Sequence, residues 1–245
     1  MPKYLNPAYA EFLDMMLTPT IGFKVHFWKY AQNEVETSIA AAANRVDWAV
    51  KDAIKRISRI ASDVTKTVPM QHEASRQIYD RLAEHVAKDI AYIRDKADKD
   101  AAAARDRAFA PIAADPDKTA LYAETRAIFR DMAAKADPSW PVEASRLVKS
   151  NRDIAAALNA APAFNSGLTD DRWSQLIQTA VVEFAPDDAA AMVHAVEVGA
   201  EASKIEAGMA KLKAAAYDTA QSNKARETFV DAEAPFAVPP AEAAE

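Results

Sequence analysis

The histidines are the residues whose type and spacing could support chemistry in this sequence. At helical spacing, His194, Glu197 and Glu201 would share one face of a helix and could contribute ligands to a metal ion. The second half of such a site, a Glu-x-x-His pattern on another helix, does not occur in the sequence. We therefore predict no metal and no cofactor, and a metal- or cofactor-binding bundle that uses the His194 region is kept as an alternative. The four histidines are His26, His72, His85 and His194.

Glycine and cysteine usage excludes several classes of enzyme. The four glycines are isolated from one another, so neither a P-loop nor a dinucleotide-binding turn can be formed. The absence of cysteine from the sequence excludes disulfides, thiolate metal sites and cysteine nucleophiles. No His-Glu-x-x-His and no Gly-x-Ser-x-Gly pattern occurs either. We predict a protein that is not an enzyme.

The charge balance argues against nucleic acid as a partner. Thirty basic and 36 acidic residues give a net charge of -6, and phosphate binding depends on positive charge. Residues 45–66 carry six basic and three acidic side chains, a local net of +3, but acids interrupt the patch, so we interpret it as the solvated flank of a helix. No stretch is long and apolar enough for a transmembrane span, and we expect no secretory signal, because no basic segment followed by an apolar run opens the sequence. The expected location is the cytoplasm of a bacterium or a virion.

Composition predicts the fold class. The sequence has 57 alanines and only 4 glycines among 245 residues, which favours helices and disfavours tight hairpins. We predict an all-α fold: an elongated helical bundle with two or three long helices, coiled-coil-like seams and several short helices.

The first long helix is predicted over residues 23–68, because no proline lies between Pro19 and Pro69. A restart at Asn33 is an alternative, because Asn33 and Glu36 have the spacing of a capping box. The apolar residues alternate at intervals of four and three, which is typical of a coiled-coil seam. That seam consists of Ile39, Ala43, Val46, Val50, Ala53, Ile57, Ile60 and Val64.

Two further long helices are predicted over residues 71–109, after a stop or kink at Pro69, and 186–229. The stripe of the former is Val86, Ile90, Ile93, Ala97, Ala101, Ala104 and Ala108. The seam of the latter is Ala191, Ala195, Val198, Ala202, Ile205, Met209, Leu212 and Ala216.

Proline and capping residues divide the rest of the chain. Short helices are predicted over residues 8–17, from Pro116 through Met132, over 142–149, over 151–160 behind a Ser150 cap, and after an N-cap at Thr169. The predicted organisation is an aromatic docking segment (1–20), a long-helix region (21–137), a C-terminal helical region (138–230) and an acidic, proline- and alanine-rich tail (231–245) that is extended or disordered.

Helix length suggests a function. A helix over residues 23–68 would be about 68 Å long, more than a compact chain of this size could cover, so oligomerisation is expected. We predict a structural or assembly protein that acts through homo-oligomerisation and docking of other subunits, as in a bacteriophage virion or scaffold. The alternative is a phasin-like protein that coats a granule or membrane surface peripherally. The predicted interface is Phe23, Phe27, Trp28, Tyr30, Val50, Ile57, Ile60, Val64, Ile205, Met209 and Leu212, and the tail could dock through Phe236 and Val238.

Overall fold

The computed structural model describes residues 3–18, 29–135 and 138–227. Within these ranges every regular element is helical, which confirms the all-α prediction and the presence of three long helices. The α-helices are α1 (Ala10–Leu17), α2 (Glu34–Ala61), α3 (Val68–Phe109), α4 (Thr119–Ala134), α5 (Trp140–Ser150), α6 (Arg152–Asn159), α7 (Asp170–Phe184), α8 (Pro186–Ala216) and α9 (Thr219–Glu227). Short 3₁₀ turns cover Pro7–Tyr9, Ala110–Ile112, Pro116–Lys118 and Ala163–Ser166.

The chain forms two compact units, and the long helices contribute to both of them. Unit 1 comprises Met1–Val25, Asn44–Asp89 and Glu206–Glu245, and unit 2 comprises His26–Ala43 and Ile90–Ile205. The boundary that we predicted at residue 137 does not coincide with this division, because unit 2 includes residues on both sides of it. A proline-rich segment thus separates helices here without separating compact units.

The first long helix starts later than its proline-free sequence predicted. It begins at Glu34, where the backbone N–H of Glu36 donates to Asn33 Oδ1 at 2.8 Å. Glu36 Oε2 in turn accepts from the backbone N–H of Gln32 at 2.6 Å. The alternative start at Asn33 is therefore correct and a continuous helix over residues 23–68 is wrong, because these side chains satisfy the N–H groups of a new helix end.

The same helix also ends earlier than predicted, at Ala61. In the connection to α3, Asp63 accepts from Thr65 N and Oγ1 and from Lys66 Nζ, and these bonds lower the pKa of Asp63 to about 2. The backbone carbonyl of Asp63 accepts from Gln71 Nε2 at 2.8 Å. Val64, assigned to the seam from its spacing, lies in this turn and is 92% exposed, so that assignment is wrong.

Two other helix ends differ from the prediction. Pro69 does not interrupt a helix but lies in the first turn of α3, where its missing N–H costs nothing. The last long helix stops at Ala216 instead of residue 229, and α9 follows after Tyr217 and Asp218. The stop coincides with a hydrogen bond from the backbone N–H of Asp218 to His72 Nδ1 at 2.9 Å.

The predicted seams face the interior of the chain along most of their length. Val46, Val50 and Ile57 of α2 are buried, and so is the residue Ile54, which lies outside the heptad positions. The buried stripe of α2 is therefore wider than a coiled-coil seam, as expected for a helix in a globular core. Seam residues of the other two long helices that are buried include Val86, Ile93, Ala97, Ala104, Ala108, Ala195, Val198, Ala202, Ile205, Met209, Leu212 and Ala216.

The short helices α4 to α7 belong to unit 2 and share one hydrophobic cluster with parts of the long helices. Thr169 caps α7 as predicted, accepting from the backbone N–H of Arg172. The cap of α6 is Asn151, which accepts from the backbone N–H of Asp153 at 2.8 Å. Ser150 instead ends α5 and donates to the carbonyl of Leu147, so the predicted Ser150 cap is displaced by one residue.

A side chain at Gly167 in unit 2 would be unfavourable both for the backbone and for packing. Its φ is 66°, and an added Cβ would lie 3.0 Å from Arg130 Cγ and 3.2 Å from Arg130 Cα. We expect Gly167→Ala to lower the free energy of unfolding by about 1–3 kcal/mol in urea titrations. Gly199→Ala, in the interior of α8 with no atom within 4 Å of the added Cβ, should raise it by about 0.5–1 kcal/mol. Equal effects at both positions would contradict this reading of Gly167.

Candidate functional site

A groove between α2 and α3 in unit 1 has a volume of about 380 Å³. Its floor contains Ala53 and Leu82, both buried, and Ala49 and Ile78, both half-buried. Because two of the four floor residues are alanines, the space between the helices is left open instead of being filled by large side chains. The rim carries polar and charged side chains, namely Asp52 and Arg56 of α2 and Arg81 and His85 of α3.

The register of the two helices explains why these residues meet. One turn beyond the groove, Arg45 of α2 donates from Nε and Nη2 to the carboxylate of Asp89 of α3 at 2.5 to 3.2 Å. In an antiparallel pair this bond places residue 49 opposite 85 and residue 56 opposite 78. The Arg45–Asp89 contact therefore agrees with a register that brings the rim residues of α2 opposite those of α3.

The charge of the rim is predominantly positive. Arg56 Nη2 pairs with Asp52 Oδ2 at 2.8 Å, and both side chains are about 60% exposed. Among the described residues no acid forms an ion pair with Arg81. An exposed pair such as Arg56–Asp52 contributes little to stability, so both arginines can turn toward an acidic ligand at low cost.

The locally basic segment over residues 45–66 has most of its cations paired within the chain. Four of its six basic side chains form an ion pair within the chain, so the positive charge of this segment is partly compensated, and its interpretation as a solvated helix flank stays a prediction. The pairs are Arg45–Asp89, Lys51–Asp47, Arg56–Asp52 and Lys66–Asp63.

Glu73 is the centre of a polar cluster in unit 1 that sequence spacing did not reveal. Its carboxylate accepts from Ser222 Oγ at 2.5 Å, from Arg76 at 2.9 and 3.0 Å, and from Gln77 and Arg226 at 3.2 Å. Burial alone would raise the pKa of Glu73, but these donors outweigh it and hold the pKa below its ordinary value. The carboxylate joins α9 to the start of α3, and its lone pairs are taken up by structural hydrogen bonds.

His72 lies beside this cluster and is also engaged structurally. It is 5% exposed, and its Nδ1 accepts from the backbone N–H of Asp218, so the ring is neutral when this bond is present. Burial lowers the pKa of His72, and the nearby Asp218 carboxylate opposes the shift only partly. His72 therefore acts as an acceptor that fixes the junction of α8 and α9.

The pKa of His72 gives an expected pH dependence of stability. In the unfolded chain His72 titrates near pH 6.5 and in the folded chain at lower pH, so the unfolded state binds more protons between these values. The free energy of unfolding should therefore fall as the pH decreases below 6.5 and level off below the folded pKa. His72→Asn keeps an acceptor but does not titrate, so urea titrations from pH 7 to 5 should show a smaller fall. His85→Asn, at an exposed histidine, is the control. If the free energy of unfolding falls equally in both variants, His72 is not the source of the pH dependence.

The contacts of His194 differ from those that the metal-binding alternative requires. Its Nε2 lies 3.0 Å from Glu36 Oε1 and 3.0 Å from the backbone carbonyl of Tyr30, all within unit 2. Glu197 is exposed and Glu201 pairs with Lys204, so neither joins His194 as a ligand. In the described ranges no group of three or more His, Cys, Asp or Glu side chains could hold a metal ion. The Glu36–His194 contact instead links α8 to the N-terminus of α2.

Comparisons with family models, curated proteins and solved structures find no match to this chain. No helix in the part of the chain that the structure describes is long and apolar enough to cross a membrane.

The residues predicted to form an interface or to dock through the tail divide into four groups. Tyr30 is half-buried, with its ring centroid 5.7 Å from that of His194, and Ile60 is also half-buried. Val64 is exposed, whereas the remaining described members are buried in the single chain and pack within it: Val50, Ile57, Ile205, Met209 and Leu212. Outside the described residues lie Phe23, Phe27, Trp28, Phe236 and Val238.

The described part of the aromatic N-terminal segment contacts its own chain. Tyr4 donates to Asp14 Oδ1 at 2.6 Å, and Asn6 Nδ2 donates to the carbonyl of Ala214 at 3.2 Å. Lys211 Nζ lies 4.6 Å from the centre of the Phe12 ring. These contacts hold residues 3–18 on the C-terminal part of α8, in unit 1.

Proposed function

We propose that this chain is a non-enzymatic subunit of a protein assembly, and that it docks a segment of another protein in the groove between α2 and α3. The groove carries the proposal, because it combines an apolar floor of Ala53, Ile78 and Leu82 with a rim of Arg56 and Arg81. An acidic segment with one or two apolar side chains has the complementary chemistry.

Burial of the seam residues favours docking through the groove over oligomerisation through the long helices. Ile57, Ile205 and Leu212 are buried by contacts within one chain and are not available to a second copy. A homo-oligomer would therefore need another surface, and we propose that contacts with other subunits use the groove. The polar clusters support a non-enzymatic role, because the acceptor atoms of Glu73 and His72 are engaged in hydrogen bonds that join helices.

Only the amino-acid composition bears on where the proposed assembly is located. An alanine-rich, glycine-poor and cysteine-free helical chain suits bacterial and bacteriophage assemblies, so we propose the bacterial cytoplasm or a virion as its location. The phasin-like alternative needs one continuous apolar stripe on the surface. The most exposed large apolar side chains of the described residues are spread over separate elements instead: Trp48, Val64, Val142, Phe164, Val182 and Val196.

Site-specific photo-crosslinking tests the proposed docking. A photoreactive amino acid at His85, on the rim, should give one dominant adduct with another protein in cells that produce this chain. The same amino acid at Ala87, which is exposed on another face of α3, is the matched control. A diffuse set of adducts from both positions, or no protein adduct from His85, would contradict docking of a partner in the groove.

A further inference from the structure

The groove has an acidic, apolar candidate occupant in this same chain, the tail over residues 231–245. The tail contains four acids and no base, and two apolar side chains between its three prolines: Asp231, Glu233, Glu242, Glu245, Phe236 and Val238. The tail therefore has the acidic and apolar side chains of the segment that we propose the groove binds. Because each proline fixes one backbone angle, such a segment loses less conformational entropy on binding than a flexible chain.

The point from which the tail departs is close to the groove. Arg226, near the end of α9, contacts Glu73 at 3.2 Å, and Ser222 contacts the same carboxylate. Along α3, Arg81 lies eight residues beyond Glu73, about 12 Å at the helical rise. Ten residues separate Arg226 from Phe236, and an extended chain of that length spans about 33 Å. The tail is therefore long enough to reach the groove of its own molecule.

Charge and volume favour this occupant. Arg81 has no acid paired with it among the described residues, and Arg56 is held only by an exposed contact with Asp52. The volume of about 380 Å³ above Ala49 and Ala53 can accept an aromatic side chain. A tethered segment also competes at high effective concentration, so modest contacts suffice to fill the groove.

We propose that the acidic tail occupies the groove of its own chain through Phe236, with its carboxylates on Arg56 and Arg81, and that a partner must displace it. This inference rests on the proposed function, because it assigns a regulator to the same groove. The tail is then an internal competitor, and its binding weakens as salt screens the arginine contacts.

Because the sequence contains no cysteine, two introduced cysteines test the proposal in the full chain. Ala49→Cys on the groove floor combined with Ala237→Cys in the tail should form an intramolecular disulfide under mild oxidation. Ala87→Cys with Ala237→Cys is the control, since position 87 is exposed and lies on α3 two residues from His85 of the groove rim. The first pair should react about tenfold faster than the control, at a rate independent of protein concentration.

Two further variants test the chemistry of the contact. Phe236→Ser, or Arg56→Glu with Arg81→Glu, should each bring the rate of the first pair down to that of the control. Equal rates for both pairs in the parent chain would overturn the proposal, as would a disulfide that forms only between molecules. The photo-crosslinking result is separate: adducts with a partner but equal disulfide rates would leave the proposed function standing and remove the tail from it, whereas adducts with the chain's own tail alone would do the reverse.

Discussion

Ile57→Asp should unfold the protein at room temperature, or reduce its free energy of unfolding by several kcal/mol. Ile57 is 2% exposed and packs with Ile78, Tyr79, Ala216 and Tyr217 in unit 1. A carboxylate at this position would be buried in an apolar cluster, and the cost of burying a charge is comparable to the whole stability of a typical domain. Circular dichroism should show loss of helix signal and a strongly lowered or absent melting transition.

Val64→Asp is the matched control, because Val64 was predicted to continue the same seam but is 92% exposed. The control should change the melting temperature by no more than a degree or two, as an exposed substitution does. Light scattering should give the same mass for the control and the parent chain. If Ile57→Asp instead stays folded and a multimer falls to the mass of one chain, 26.7 kDa, the seam would be an interface between molecules.

The heptad spacing of α2 predicted its buried residues but not its length. From Ile39 to Ile57 every seam residue is buried, because periodicity reports which face of a helix is apolar. Val64 fits the same spacing, yet the helix has already ended at Ala61, since Asp63 captures the N–H of Thr65. A short polar turn of this kind leaves no mark on hydrophobic periodicity.

Contacts between distant positions explain the other differences. The break after α8 depends on His72, 146 residues before Asp218, and the groove depends on the register set by Arg45 and Asp89. Neither pairing has a signature in local spacing. Capping residues are local signals, and here Asn33 and Thr169 were identified correctly, whereas Ser150 was confused with the adjacent Asn151.

These differences change which part of the chain carries the functional hypothesis. Sequence periodicity placed the interface on the seams, because an apolar stripe looks the same whether it meets its own chain or another. Ile205 and Leu212 are buried within one chain, so the docking that we propose does not use them. The surface that we propose for a partner is the groove, whose floor is formed by the small side chains of Ala49 and Ala53 together with Ile78 and Leu82.

Phe129→Ala should produce the largest loss of stability among core truncations in unit 2. Phe129 of α4 is 1% exposed and belongs to a cluster with Ile112, Leu158, Leu176 and Ile177. Removing a buried phenyl ring leaves a cavity, and we expect the free energy of unfolding to fall by about 3–5 kcal/mol in urea titrations. The adjacent Ile128 is 56% exposed, so Ile128→Ala on the same helix should cost less than about 0.5 kcal/mol. Similar losses for the two variants would show that the buried face of α4 is assigned incorrectly, and with it the core that holds α4 to α7 together.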